Sequence, residues 1–295
     1  MRVPNPTSGN AGRQTTHPGR PRANIADVCV REHVPVATLV TFHAHPDDES
    51  ISTAGTMAVA ADEGHRVVLV VATKGEHGEI VDGVLTEGER LGDRRALETE
   101  RAAEVLGAAR VEFLGYTDSG MMGEPTNDAP GSFWSAPLDE AATRLAAILE
   151  DEQADALTVY DQDGQYGHPD HIQVHRVGVR AAELAGTPRV LEATINRDHI
   201  ERLIAAQANE LPGLPDAPTP DDVSTFGVPE AAITTTIDVR RVLGRKRAAM
   251  QAHASQIAET SWFLAMPDEA FAAAFGQEWY IHRGALPGTL ETSIF

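Results

Sequence analysis

The 295-residue sequence holds a single cysteine, Cys29, so the chain forms no internal disulfide and cannot build a zinc site from thiolates. Basic residues are also scarce. Against 44 Asp and Glu stand 24 Lys and Arg, a formal net charge of −20. A phosphate backbone is held by positive side chains, and this balance argues against nucleic acid as a partner. No apolar run reaches the ~18 residues a membrane-spanning helix needs, and the first thirty or so residues lack the apolar stretch of a signal peptide. The expectation is a cytoplasmic protein with no membrane partner. Residues 1–33, rich in Pro, Gly, Thr and Arg, read as a mobile arm.

What the sequence does contain is alternation. Short apolar, β-branched runs at Val36–Phe42, Arg66–Thr73, Arg110–Tyr116, Ala156–Asp161 and Arg189–Ile195 are separated by helical patterns. The helices are expected at Ser50–Gly64, Arg90–Gly107, Leu138–Glu152, after His168, and at Asp198–Gln207. That order predicts an α/β fold: a Rossmann-like, mostly parallel sheet flanked by helices. The core spans 34–207. A Pro/Asp-rich linker at 208–222 follows. Residues 223–295 form a smaller C-terminal α+β part, with a strand at Ala232–Val239, a helix at Arg240–Gln256 and an aromatic-bearing tail that the pattern does not place.

Two strand ends carry unusual chemistry. After the first comes "HAHPDDES" (His43–Ser50), and after the fourth "GHPDH" (Gly167–His171). Pro46 fits a first helical position, and Asp47, Asp48 and Glu49 suit a first turn where the helix dipole favours negative charge. Helix-start chemistry thus explains the carboxylates but not His45. In open α/β sheets ligands bind beyond the carboxyl ends of the strands. If the two strands are neighbours, His45, Asp48 and His171 converge, and two imidazoles with one carboxylate hold Zn²⁺ with a coordination position left open. Fe²⁺ or another divalent metal also suits such a site. Asp47 is the adjacent base, His168 can polarise a carbonyl or protonate a leaving amine, and Asp170 can orient the His168 ring. Two other classes stay open: a non-heme Fe(II) enzyme using the same triad, and a noncatalytic α/β binding module in which both motifs are only helix starts.

The pair "AHPDDE" (Ala44–Glu49) and "HPDH" (His168–His171) resembles the LmbE-like, or PIG-L-type, zinc N-deacetylases, a family that includes N-acetylglucosaminyl-inositol deacetylases and mycothiol S-conjugate amidases. The resemblance covers Thr38–Leu184 and recurs at Lys246–Gln256. It implies His45, Asp48 and His171 as metal ligands, Asp47 as general base, His168 as electrophilic or acid histidine and Asp170 as its orienting carboxylate. It further implies Tyr166 as a hydrogen-bond partner of the substrate carbonyl, and Arg95 and Asp118 as substrate-binding residues. The implied activity is removal of an N-acetyl group from an N-acetylglucosamine-type amino sugar, with the S-conjugate amidase as the alternative. The implied partner is that small molecule; a homo-oligomer is compatible with the sequence. The loop from Asp118 to Ser135, with Met121, Met122, Phe133 and Trp134, is expected to close over the ligand. His43, His77 and His175 are set aside, and His253 keeps some claim through "AHASQ".

Overall fold

The computed structural model describes residues 36–207, 223–286 and 288–295. The expected arm and linker lie outside them. Along the chain run β1 (Thr38–His43), α1 (Asp48–Ser52), α2 (Ala54–Asp62), β2 (Arg66–Val71), α3 (Leu91–Leu106), β3 (Arg110–Phe113), α4 (Leu138–Asp151), β4 (Ala156–Tyr160), the single turn α5 (Gly164–Gly167), α6 (Pro169–Ala185), β5 (Arg189–Thr194) and α7 (Arg197–Gln207). The C-terminal part adds β6 (Thr235–Asp238), α8 (Leu243–Ala252), α9 (Trp262–Ala265), α10 (Asp268–Phe275) and β7 (Gln277–His282).

The strands form one sheet in the order β3-β2-β1-β4-β5-β7-β6. Strands β1 to β5 are parallel, whereas β7 pairs antiparallel with both β5 and β6. The unplaced tail therefore contains β7, which joins the C-terminal part to the sheet. Connection order reverses between β1 and β4, which are hydrogen-bonded neighbours with Leu39 opposite Ala156 and Thr41 opposite Thr158. Such a reversal opens a crevice at the carboxyl ends of the two strands. Both histidine motifs stand there.

Strand residues alternate between two cores. Val40, Phe42, Val68 and Val70 face α4 and α6, where Leu145, Leu149, Val174 and Val177 are fully buried or nearly so. Leu39, Val67, Leu69 and Val71 face Met57, Leu106 and Ala249 on α2, α3 and α8. Each such Leu or Val contributes about 1.5–3 kcal/mol by leaving water. Gly178 lets α6 lie close on β4, since a Cβ there would stand 2.2 Å from Val159 Cγ1.

One expected helix is broken. Ser50–Gly64 divides at Thr53 (φ −134°, ψ 2°), whose hydroxyl pairs with His43 Nε2 at 2.9 Å. The second piece gains its own cap from β7: the Glu278 carboxylate accepts the Gly55 and Thr56 N–H groups at 2.8 and 2.7 Å. At the other end of the chain, the expected helix Arg240–Gln256 stops at Ala252, with a 3₁₀ turn at Arg240–Val242 before it. Among the described residues, no helix is long and apolar enough to cross a membrane.

Candidate active site

At the end of β1 the backbone turns sharply. Helix α1 starts at Asp48, so Pro46 is not its first residue; Asp47 is the N-cap, in a left-handed conformation (φ 95°, ψ −28°). That conformation costs a residue with a Cβ roughly 1–2 kcal/mol, and such strain gathers at functional sites. The turn folds Asp48 back on the strand end, where its Oδ2 accepts the His45 N–H at 2.8 Å. At β4 the matching turn has Gln165 with φ 65° and His168 as N-cap of α6.

The two turns meet. Asp48 lies between two imidazoles, with His45 Nδ1 3.4 Å from its Oδ2 and His171 Nε2 3.4 Å from its Oδ1. His168 completes a cluster of rings, 4.7 Å from His45 and 5.2 Å from His171 between centroids. All four side chains are buried. A separation of 3.4 Å is long for a hydrogen bond. Two donors on one tetrahedral zinc, each ~2.0–2.1 Å from it, are roughly 3.3 Å apart.

The tautomer fits as well. The other nitrogen of His45, Nε2, lies 3.1 Å from Asp170 Oδ2 and 3.5 Å from Asp118 Oδ1. With the proton on Nε2 facing these carboxylates, Nδ1 offers its lone pair toward Asp48. These residues fit a divalent metal ion. Two groupings, His45 with His168 and His171, and His45 with Asp118 and Asp170, each bring three ligand atoms within 4.8 Å of one another. With His45 Nε2–H donating to Asp170 and facing Asp118, its Nδ1 favours the set containing Asp48.

Charge is concentrated here. Burial works to lower the His45 pKa, but hydrogen bonds to Asp118, Asp170 and Asp48 raise it well above its usual value. The field that draws a proton to His45 also favours a cation. Burial likewise disfavours ionised Asp48, yet His171 and His45 hold its carboxyl well below the normal range. Asp47 is different: burial pushes it up to about 6, against the opposing pull of Arg95. Burial and the neighbouring His45 and His171 lower His168 to about 4, so its ring is neutral near pH 7. Its Nδ1 accepts the Asp170 N–H at 3.1 Å, leaving the proton on Nε2.

Several expected roles meet other partners. The Asp170 carboxylate faces His45 and the Ser119 N–H (2.9 Å), and only its backbone reaches His168. Asp170 occupies the first turn of α6, so its N–H is free to meet the N-cap ring while its side chain crosses to β1. Arg95 is 3% exposed, and its guanidinium donates to the Pro46 and Gly75 carbonyls at 2.5 and 2.8 Å and lies 3.4 Å from Asp47 Oδ1. Gly75, at φ 62°, gives it room: a Cβ there would stand 2.2 Å from Nη1. Asp118 accepts the His77 and Gly120 N–H groups at 3.1 and 2.9 Å. Tyr166 is 43% exposed, with its hydroxyl 3.4 Å from His171 Nε2.

The PIG-L family model, described as a GlcNAc-PI de-N-acetylase, matches residues 40–182. A 1D-myo-inositol 2-acetamido-2-deoxy-alpha-D-glucopyranoside deacetylase of Acidothermus cellulolyticus is 43% identical, over 83% of this chain and 88% of its own. One of the same name from Streptomyces avermitilis is 41% identical, over 89% of this chain and 97% of its own. The chain belongs to this family. Among solved structures, the N,N'-diacetylchitobiose deacetylase of Pyrococcus horikoshii is similar at a TM-score of 0.55, with 19% identity over 85% of this chain and 84% of that one. The 4-carboxy-2-hydroxymuconate hydratase GalB of Pseudomonas putida reaches 0.54, with 19% identity over 85% and 98%. A deacetylase and a hydratase thus share the fold, and it is the 37–43% identical relatives that point to deacetylation.

Against the family motifs, sequence reasoning missed two things. The first is the cavity. A space of about 490 Å³ opens beside Asp47, Asp48 and His171, and its walls come from α1, α7 and the C-terminal part, including Ile51, Ile200, Leu203, Phe226, Met266 and Trp279. The Asp118–Ser135 loop does not line it. Phe133 is fully buried in the core against Phe42, and Arg176 lies over the Trp134 ring, so these aromatics pack on the domain. The second is the pair Glu49 and His253, both fully buried and 2.6 Å apart. Burial acts against both charges, but each group's field on the other overrides it, lowering the Glu49 carboxyl and raising the His253 imidazole. The Glu of "AHPDDE" and the His of "AHASQ" were the available signals. His43 joins Tyr160 and Thr53 in a buried network, while His175 bonds the Tyr160 carbonyl.

Proposed function

We propose that the enzyme hydrolyses the acetamide of 1D-myo-inositol 2-acetamido-2-deoxy-α-D-glucopyranoside, giving acetate and the free amine, with zinc as its metal. The observation that carries this reading is the extent of the similarity. At 41% identity the Streptomyces relative aligns with 89% of the chain, a share too large to leave out the metal end. The His/His/Asp donor set suits Zn²⁺. His45, Asp48 and His171 would hold a divalent metal, which would supply Lewis acidity toward water and the amide carbonyl.

The remaining work falls to the chain. Asp47, with a pKa of about 6, accepts the proton of the attacking water and passes it to the departing amine nitrogen. Neutral His168, protonated on Nε2, donates a hydrogen bond to the oxygen on which negative charge develops. Tyr166, exposed at the cavity edge, adds a second donor. Asp170 and Asp118 hold His45, and Arg95 holds Asp47; Arg95 and Asp118 remain the residues expected to meet the sugar.

One observation favours a second reading, cleavage of an amide bearing a bulky apolar group as in an S-conjugate amidase: the cavity walls are largely aliphatic and aromatic. Amine release from the inositol glucosaminide and from an S-conjugate amide of the same sugar, measured with zinc-loaded protein, separates the two. The first reading predicts the larger kcat/KM on the glucosaminide. Preference for the conjugate selects the second, and release from neither contradicts both.

A further inference from the structure

Asp47 sits in a backbone conformation that residues with a Cβ rarely adopt, and two buried groups, distant Arg95 and neighbouring Glu49, grip the turn that contains it. Arg95, on α3, holds one side through the Pro46 carbonyl and the Asp47 carboxylate. On the other side, Glu49 Oε2 accepts the Asp47 N–H at 3.0 Å. The second Glu49 oxygen accepts from Ser50 Oγ at 2.7 Å and lies 2.6 Å from Nε2 of His253, the residue that caps the end of α8. Neither Glu49 nor His253 lines the cavity. A charged pair this deep is costly to bury unless its geometry is used. What the pair reaches is the N–H of the strained residue.

We propose that His253 and Glu49 are positioning residues: His253 fixes the Glu49 carboxylate, and Glu49 fixes the left-handed turn at Asp47, so that the base points into the cavity. The proposal rests on the reading of Asp47 as general base. It makes the end of α8, about two hundred residues away in sequence, part of the machinery of the first motif. It also gives the Glu of "AHPDDE" a task distinct from metal binding.

The test pairs His253→Ala with Asp47→Ala, singly and together, reading kcat, KM, metal content by elemental analysis and thermal unfolding. His253→Ala is expected to lower kcat by about 10- to 100-fold, with KM within about twofold and metal content unchanged. In the Asp47→Ala background it should cause no further loss, because the residue it positions is gone. If His253→Ala fails to unfold cooperatively, the double variant Glu49→Gln/His253→Gln, which keeps volume and leaves no charge unpaired, carries the same comparison. Unchanged kcat, loss of metal, or a loss that multiplies in the Asp47→Ala background would overturn the proposal. Near-native turnover in Asp47→Ala alone would instead refute the base assignment, and the proposal with it.

Discussion

The two ends of the sheet both gather charge, with opposite results. At the amino ends of β2 and β3, Arg66 meets Glu152 at 2.5 Å, and Arg110 meets Asp151, Glu152 and Glu112 at 2.7–2.8 Å. Solvent reaches this network: the side chains of Arg66 and Asp151 are 42% and 69% exposed. At the carboxyl ends of β1 and β4, His45, Asp48 and His171 are 9%, 12% and 1% exposed, and their donors stand 3.4 Å apart. Arginines and carboxylates satisfy one another at the first end. At the second, Asp48 and the imidazoles of His45 and His171 converge without closing on each other. A charged cluster marks a site when it is buried and its donors point at a common space, and the number of charges decides little.

Substitutions at each end sharpen that contrast. The largest effect is expected from His171→Ala, which removes a proposed metal donor: activity should fall by more than the ~10–100-fold typical of residues that only orient a ligand, as amine release will show. Asp47→Ala should lower kcat by about 10² to 10⁴ while the fold persists. Next comes Asp170→Ala, which frees the His45 ring; competition with a chromogenic chelator should show metal affinity weakened by about 10- to 100-fold. Smallest is Arg66→Ala at the opposite end, expected to leave kcat unchanged and to cost about 0–1 kcal/mol in urea unfolding. Its pH dependence has a definite sign. The Arg66 hydrogen bond holds the Glu152 carboxyl at about 2, below its ordinary 4.5. The stabilisation is therefore full above about pH 4.5 and disappears as pH falls through about 2. A kcat loss in Arg66→Ala would break the comparison.

Much of this was legible in the sequence because it is local. Buried parallel strands are continuous apolar runs, as in "RVVLVV", and the two His-Pro-Asp motifs declare themselves by residue type at strand ends. What escaped depends on distant partners. Strand β7 is mixed in character because it fills an antiparallel position between β5 and β6, and its Glu278 breaks the first helix by capping α2 from more than two hundred residues away. Asp170 looks like the partner of His168 by proximity in sequence, yet the neighbouring turn puts its carboxylate on His45. Phe133 resembles a loop aromatic and is a core residue, since only the third dimension brings Phe42 beneath it.

On the proposed assignment, His45, Asp48 and His171 hold one divalent ion and Asp47 works beside it without holding it. Elemental analysis of the native protein, His171→Ala and Asp47→Ala, purified side by side, tests this most directly. One metal ion per chain is expected in the native protein and in Asp47→Ala, and little in His171→Ala. Full metal occupancy in His171→Ala, or its loss in Asp47→Ala, would contradict it.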